Sequence, residues 1–162
     1  MKVNKTAILV VGFSILAASY AAAATNASIV VSGTVPDLTS ITVSTASDIQ
    51  NLDLSADISG KSIATVTERS NRRTGYTVTL QSANGGALVG VDPLNADTVP
   101  YTLTYGGSPV TFSSGTATVT DASSKTTGTG TSKNLAISVA GATLFPNSDT
   151  YSDTLTFTIA AK

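Results

Sequence analysis

Thr98-Val99-Pro100-Tyr101-Thr102-Leu103-Thr104-Tyr105-Gly106-Gly107 decides the fold. Val99, Tyr101, Leu103 and Tyr105 share one parity, and threonines fill most of the other. Period two is the strand period, with one face buried and one in water. The two glycines end the run in a turn. The same pattern recurs outward in both directions. Ile41 and Val43 alternate, then Leu52 and Leu54, then Ala64, Val66 and Glu68 against Ile63, Thr65 and Thr67. Tyr76, Val78 and Leu80 follow the turn-like Ser70-Asn71-Arg72-Arg73-Thr74-Gly75. Val110 and Phe112, then Ala117-Thr118-Val119, then Leu135, Ile137 and Val139 give further strands. Tyr151, Asp153, Leu155, Phe157, Ile159 and Ala161 read as one long final strand. No comparable stretch has the helical period, and the prolines fall at strand starts or in loops. Short strands with turns at short, regular spacing predict an all-β sandwich or barrel in one domain.

Composition narrows function. The 162 residues contain no Cys, His or Trp, and Ser and Thr make up roughly 30% of them. Disulfides, thiol chemistry and Cys-rich zinc sites are excluded, as is the commonest general base. Charged residues are 12% and the formal net charge is −1, too little positive charge for a nucleic-acid surface. The only Glu is Glu68, and most Asp residues lie in turn-like contexts. No catalytic residue, cofactor or metal is assigned, and the chain is not expected to be an enzyme. Asp92-Pro93-Leu94-Asn95-Ala96-Asp97 offers oxygens but lacks the Glu and spacing of a calcium loop, so it reads as an Asx/Pro turn. Arg72-Arg73 reads as solubilising charge at a hairpin tip. Residues 121–134, rich in Thr, Ser and Gly, read as an exposed flexible loop.

Residues 1–24 read as a secretory signal peptide. Lys2 and Lys5 precede an apolar run from Ala7 to Ala18, and Ala21-Ala22-Ala23-Ala24 supplies small residues for cleavage after Ala23 or Ala24. The run is too short for a membrane span. Next come Ala27, Ile29, Val31, Gly33 and Val35 on one parity, ahead of Pro36-Asp37. An apolar strand at a terminus needs a partner, since an open one invites aggregation. Its nine residues reach roughly 30 Å, about the length of a small sandwich. Two partners are open to it: its own sheet, or a neighbouring copy by strand addition.

These features together resemble the chaperone–usher pilins. The stretch Ser28-Ile29-Val30-Val31-Ser32-Gly33-Thr34-Val35-Pro36-Asp37-Leu38 is similar to the donor strand and hinge of the Cys-free major pilins of the colonization factor antigen type. The ending Tyr151-Ser152-Asp153-Thr154-Leu155 is similar to the final strand of those pilins and of spore-coat-U-like pilins. The resemblance implies an immunoglobulin-like β-sandwich that lacks one strand. Residues 25–37 would be the donor strand and hinge, and 38–162 the pilin domain. A periplasmic chaperone would first fill the gap along Tyr151, Leu155, Phe157 and Ile159. At an outer-membrane usher, the next subunit's Ala27, Ile29, Val31, Gly33 and Val35 would replace it. The expected product is a head-to-tail surface fimbria supporting adhesion or biofilm, exported through the periplasm. The rival reading is a self-complete secreted coat, matrix or carbohydrate-binding module.

Overall fold

The structure is a computed structural model, and it describes residues 25–162. The leader read at 1–24 lies outside the described residues. Two units are distinguished, with the boundary between Thr34 and Val35. In the first, residues 25–34 form no strand and are all exposed. Ile29, Val30 and Val31 are 87%, 89% and 88% exposed.

The second unit, Val35–Lys162, is all-β. Its strands are β1 (Thr39–Thr45), β2 (Asp57–Ser70), β3 (Tyr76–Ser82), β4 (Ala87–Gly90) and β5 (Thr98–Tyr105). They continue with β6 (Ser108–Val110), β7 (Thr116–Ala122), β8 (Thr131–Ala140), β9 (Tyr151–Ser152) and β10 (Leu155–Ala161). A single helical turn, α1 (Gly141–Leu144), follows β8. The large sheet has the order β1-β2-β8-β5-β4-β9, with β6 pairing the second half of β5. The small sheet is β10-β3-β7. Every pairing is antiparallel.

Alternation explains the sandwich. In β5 exposure switches at every residue, so Val99, Tyr101, Leu103 and Tyr105 point inward and their neighbours outward. Val66, Leu135, Ile137 and Val139 reach the same layer from β2 and β8, and Leu80 from β3. Each such side chain stabilises by about 1.5–3 kcal/mol. β2 is long enough to need two register shifts, between Ile58 and Lys61 and between Ser62 and Ala64. Gly60, at φ 59, lies in the first of them, and its N–H donates to Ser138 Oγ at 2.8 Å. Bulges of this kind bend a strand.

Residues 27–35, for which two strand partners were open, lie in no strand among the described residues. Three expectations change. Leu52 and Leu54 sit in the loop before β2, half-buried against the core. The long final strand is two strands, β9 in the large sheet and β10 in the small one. The expected loop at 121–134 is shorter, because β7 continues to Ala122 and β8 begins at Thr131. That loop is also tied down, since Thr126 N–H donates to the Ser70 carbonyl at 2.9 Å. The Asp92 turn forms as read: the N–H groups of Leu94 and Asn95 donate to the Asp92 carboxylate and carbonyl.

Candidate functional site: an open apolar seam

β1 and β10 are the edge strands of their sheets on the same side of the sandwich, where they approach one another, and neither hydrogen-bonds a second strand among the described residues. Between them lies a cavity of about 310 Å³. Its lining includes Val43 of β1, Ile63 of β2 and Ile137 of β8 from one sheet, and Leu155 and Phe157 of β10 from the other. Leu88 of β4 also reaches it. On β10 the inward residues Leu155, Phe157 and Ile159 are only half-buried, whereas Val78 and Leu80 on the adjacent β3 are completely buried. The difference is that β3 has a neighbour on each side and β10 has one. Val43, on the facing edge, is 43% exposed.

The residues read as the final-strand surface therefore divide. Leu155 and Phe157 come together in the seam, while Ile159 shares their face of β10 and is half-buried but lies outside the cavity's lining. Tyr151 does not align with them, because it belongs to β9. Its hydroxyl donates to the Asn147 carbonyl at 2.9 Å and accepts from Asn95 Nδ2 at 3.0 Å. Asp153 is the reason for the split. Its carboxylate accepts from Ser82 Oγ (2.6 Å), the Asn84 N–H (3.0 Å) and Tyr101 Oη (2.5 Å). Those bonds turn the chain from one sheet to the other. Burial, and then the Asp153 bond, push the Tyr101 phenol well above its ordinary value. Of the residues read as the donor strand, Ala27, Ile29, Val31 and Gly33 are exposed and outside any strand, and so is Val35, at the start of the second unit.

The chain enters the sandwich through a fixed hinge. Asn71 accepts the Leu38 N–H at 2.9 Å and donates to the Pro36 carbonyl at 2.7 Å. Arg72 pairs with Asp37 at 3.0 Å. The two arginines read only as solubilising charge thus include one that clamps the hinge.

A second feature escaped the sequence reading. Glu68, near the end of β2, is 0% exposed between the two sheets. Its carboxylate accepts from Tyr76 Oη (2.9 Å), Tyr105 Oη (2.6 Å) and Thr120 Oγ1 (2.6 Å). Lys133 Nζ lies 3.4 Å from Oε1 and 5.2 Å from the Tyr105 ring centroid. The cluster joins β2, β5 and β8 of one sheet to β3 and β7 of the other, a noncovalent cross-link in a protein with no cysteine. Burial first, then the Glu68 bond, pushes the Tyr76 phenol up to about 12 and the Tyr105 phenol further. The available signal was parity: Glu68 shares the buried face of β2 with Ala64 and Val66.

No family model matches the chain, and no curated protein matches it significantly. Among the described residues, no helix is long and apolar enough to cross a membrane.

Proposed function

We propose that this protein is a structural subunit of a surface fimbria that polymerises by donor-strand exchange. One observation carries the reading: a sandwich with an open apolar seam belongs to the same chain as an unpaired, exposed apolar arm. The seam's cavity is lined by the first half of β10, at Leu155 and Phe157, and the whole strand of seven residues spans about 23 Å at 3.3 Å each. The arm's nine residues, 27–35, span roughly 30 Å. In this account Ile29, Val31 and Val35 of one copy enter the seam of the next, and Gly33 takes the point of closest approach. Three such side chains contribute on the order of 5–9 kcal/mol, with ladder hydrogen bonds to β10 in addition. A head-to-tail contact that does not close on itself yields a filament. Such a subunit needs a periplasmic chaperone to cover its seam before assembly and an outer-membrane usher to exchange it. Its role is architectural rather than catalytic.

Unheated and boiled samples of surface material, run on a denaturing gel, test this. A ladder of multiples that collapses on boiling is the expected result, and deletion of residues 25–35 removes it. Gly33→Leu slows its appearance. A single monomer band without heating, or a ladder that survives the deletion, contradicts the proposal and favours a self-complete module.

A further inference from the structure

The strands run lengthwise, so their ends define two poles of the Val35–Lys162 unit. At one pole β1 begins, β2 ends, β3 and β8 begin, and β7 and β10 end. At the other, β2, β5 and β10 begin and β1, β3, β4 and β8 end.

Charge is divided between these poles. The first carries Arg69, Arg72, Arg73, Lys125 and Lys162 at its surface. Its surface carboxylates, Asp37 and Asp121, are already paired with Arg72 and Lys162. Arg69, Arg73 and Lys125 form no ion pair among the described residues. The second pole carries Asp53, Asp57, Asp92, Asp97 and Asp149, none paired with a cation among the described residues. Its one lysine, Lys61, is held by Asp48 at 2.6 Å. Hydrogen bonds from Ser55, and from Asn95 and the Asp92 N–H, hold the Asp53 and Asp149 carboxyls below the usual range. The acidic pole also exposes large apolar side chains: Leu94 is 93% and Phe145 90% exposed. Phe145 ends α1 at φ 44, a left-handed conformation costly for a bulky residue. The basic pole offers Leu38, 40% exposed beside the hinge.

We infer that the basic pole of one copy docks on the acidic pole of the next, with Leu94 and Phe145 as the apolar centre of the contact. The occupant is a second copy of this chain, chosen by charge complementarity. The inference takes the polymer proposed above as its premise and adds its polarity. An arm pairing antiparallel to β10, as every strand here pairs with its neighbour, ends at the acidic pole. The donor copy's own sandwich begins at its basic pole, at Pro36 and Leu38. The two poles therefore face each other when the arm is seated. β2 alone spans about 46 Å at 3.3 Å per residue. That exceeds the screening length of about 30 Å at 0.01 M salt, so each pole acts on its own partner. The opposed charges steer encounter before the slower strand exchange.

The absence of native cysteine makes the test clean. Ser124→Cys marks the basic pole and Ala96→Cys the acidic pole; both positions are exposed. Full-length chains carrying one each, one with a longer tag, are mixed with a short bis-maleimide. At about 0.01 M NaCl the mixed 124–96 product should exceed either self-product about tenfold, and at about 1 M the ratio should fall to the statistical value. Adding Arg73→Glu and Lys125→Glu to the Ser124→Cys chain abolishes the preference. Self-products equal to the mixed product at low salt overturn the pole contact, even where the unheated gel shows a ladder. A missing ladder with the mixed product still dominant overturns strand exchange and leaves the pole contact standing.

Discussion

Glu68→Gln keeps the shape of the buried cross-link and removes its charge. In the native site one carboxylate oxygen accepts from Tyr105 and Thr120 and faces Lys133, while the other accepts from Tyr76. The amide can still accept at the first position. At the second it presents N–H to the Tyr76 hydroxyl, which must rotate to accept. Hydrogen bonds to a charged group contribute about 1.5–3 kcal/mol against 0.5–1.5 for neutral ones. Three bonds therefore weaken by about 1 kcal/mol each, and Lys133 loses its counter-charge. Its side chain is 25% exposed, so it can turn partly to water and the second effect is small. The expected loss is about 3–4 kcal/mol, a large part of a typical total of 5–15. Urea denaturation followed by circular dichroism measures it. With a slope of about 1–3 kcal/mol per molar, the midpoint falls by more than about 1 M at constant slope. Asp121→Asn, which breaks the exposed pair with Lys162, is the control and should cost under about 1 kcal/mol. A Glu68→Gln loss no larger than the control's would refute the argument that the buried anion ties the two sheets together.

The same cluster contributes to the alkaline limit, as does Tyr101 beside Asp153. The Tyr76 pKa is raised from 10.0 to about 12, so its contribution is complete below pH 10 and lost as pH rises through about 12. Urea midpoints should be flat from pH 8 to 9.5 and then fall, with a shallower fall in Tyr76→Phe; no decline by pH 12 contradicts this. Gly75 sits at φ 91, and a Cβ there would overlap the Ala122 carbonyl oxygen. Gly107, at φ 83, has open space. Gly75→Ala should therefore cost about 3 kcal/mol or more and Gly107→Ala about 1, read as thermal midpoints; equal costs would remove the steric argument.

Much of the sandwich was legible because alternation is a local signal. β3, β5 and β10 each carry their buried face in their own sequence. What was missed depends on partners distant in the chain. The break after Ser152 preserves parity, so nothing in the run from Tyr151 to Ala161 marks it except Asp153 on the apolar face. Its partners Tyr101 and Ser82 lie 52 and 71 residues away. Glu68 is the parallel case, with Tyr105 37 and Thr120 52 residues distant. In both, a lone carboxylate on the buried parity of a strand was the available sign. The seam was half legible: the apolar parity of β10 is written in Leu155, Phe157 and Ile159, but its lack of a neighbour is a property of the topology. The arm's alternation fits a strand and says nothing of which sheet receives it.

The most direct test of the central account uses parity across two full-length copies. Cysteine is placed at 29, 30 or 31 in one copy and at 157 in the other, and disulfide formation is scored after mixing. Seating of the arm in the seam predicts intermolecular disulfides from Ile29→Cys or Val31→Cys with Phe157→Cys, and little from Val30→Cys, whose side chain points out of the seam. Equal yields from all three positions, or none from any, would contradict it.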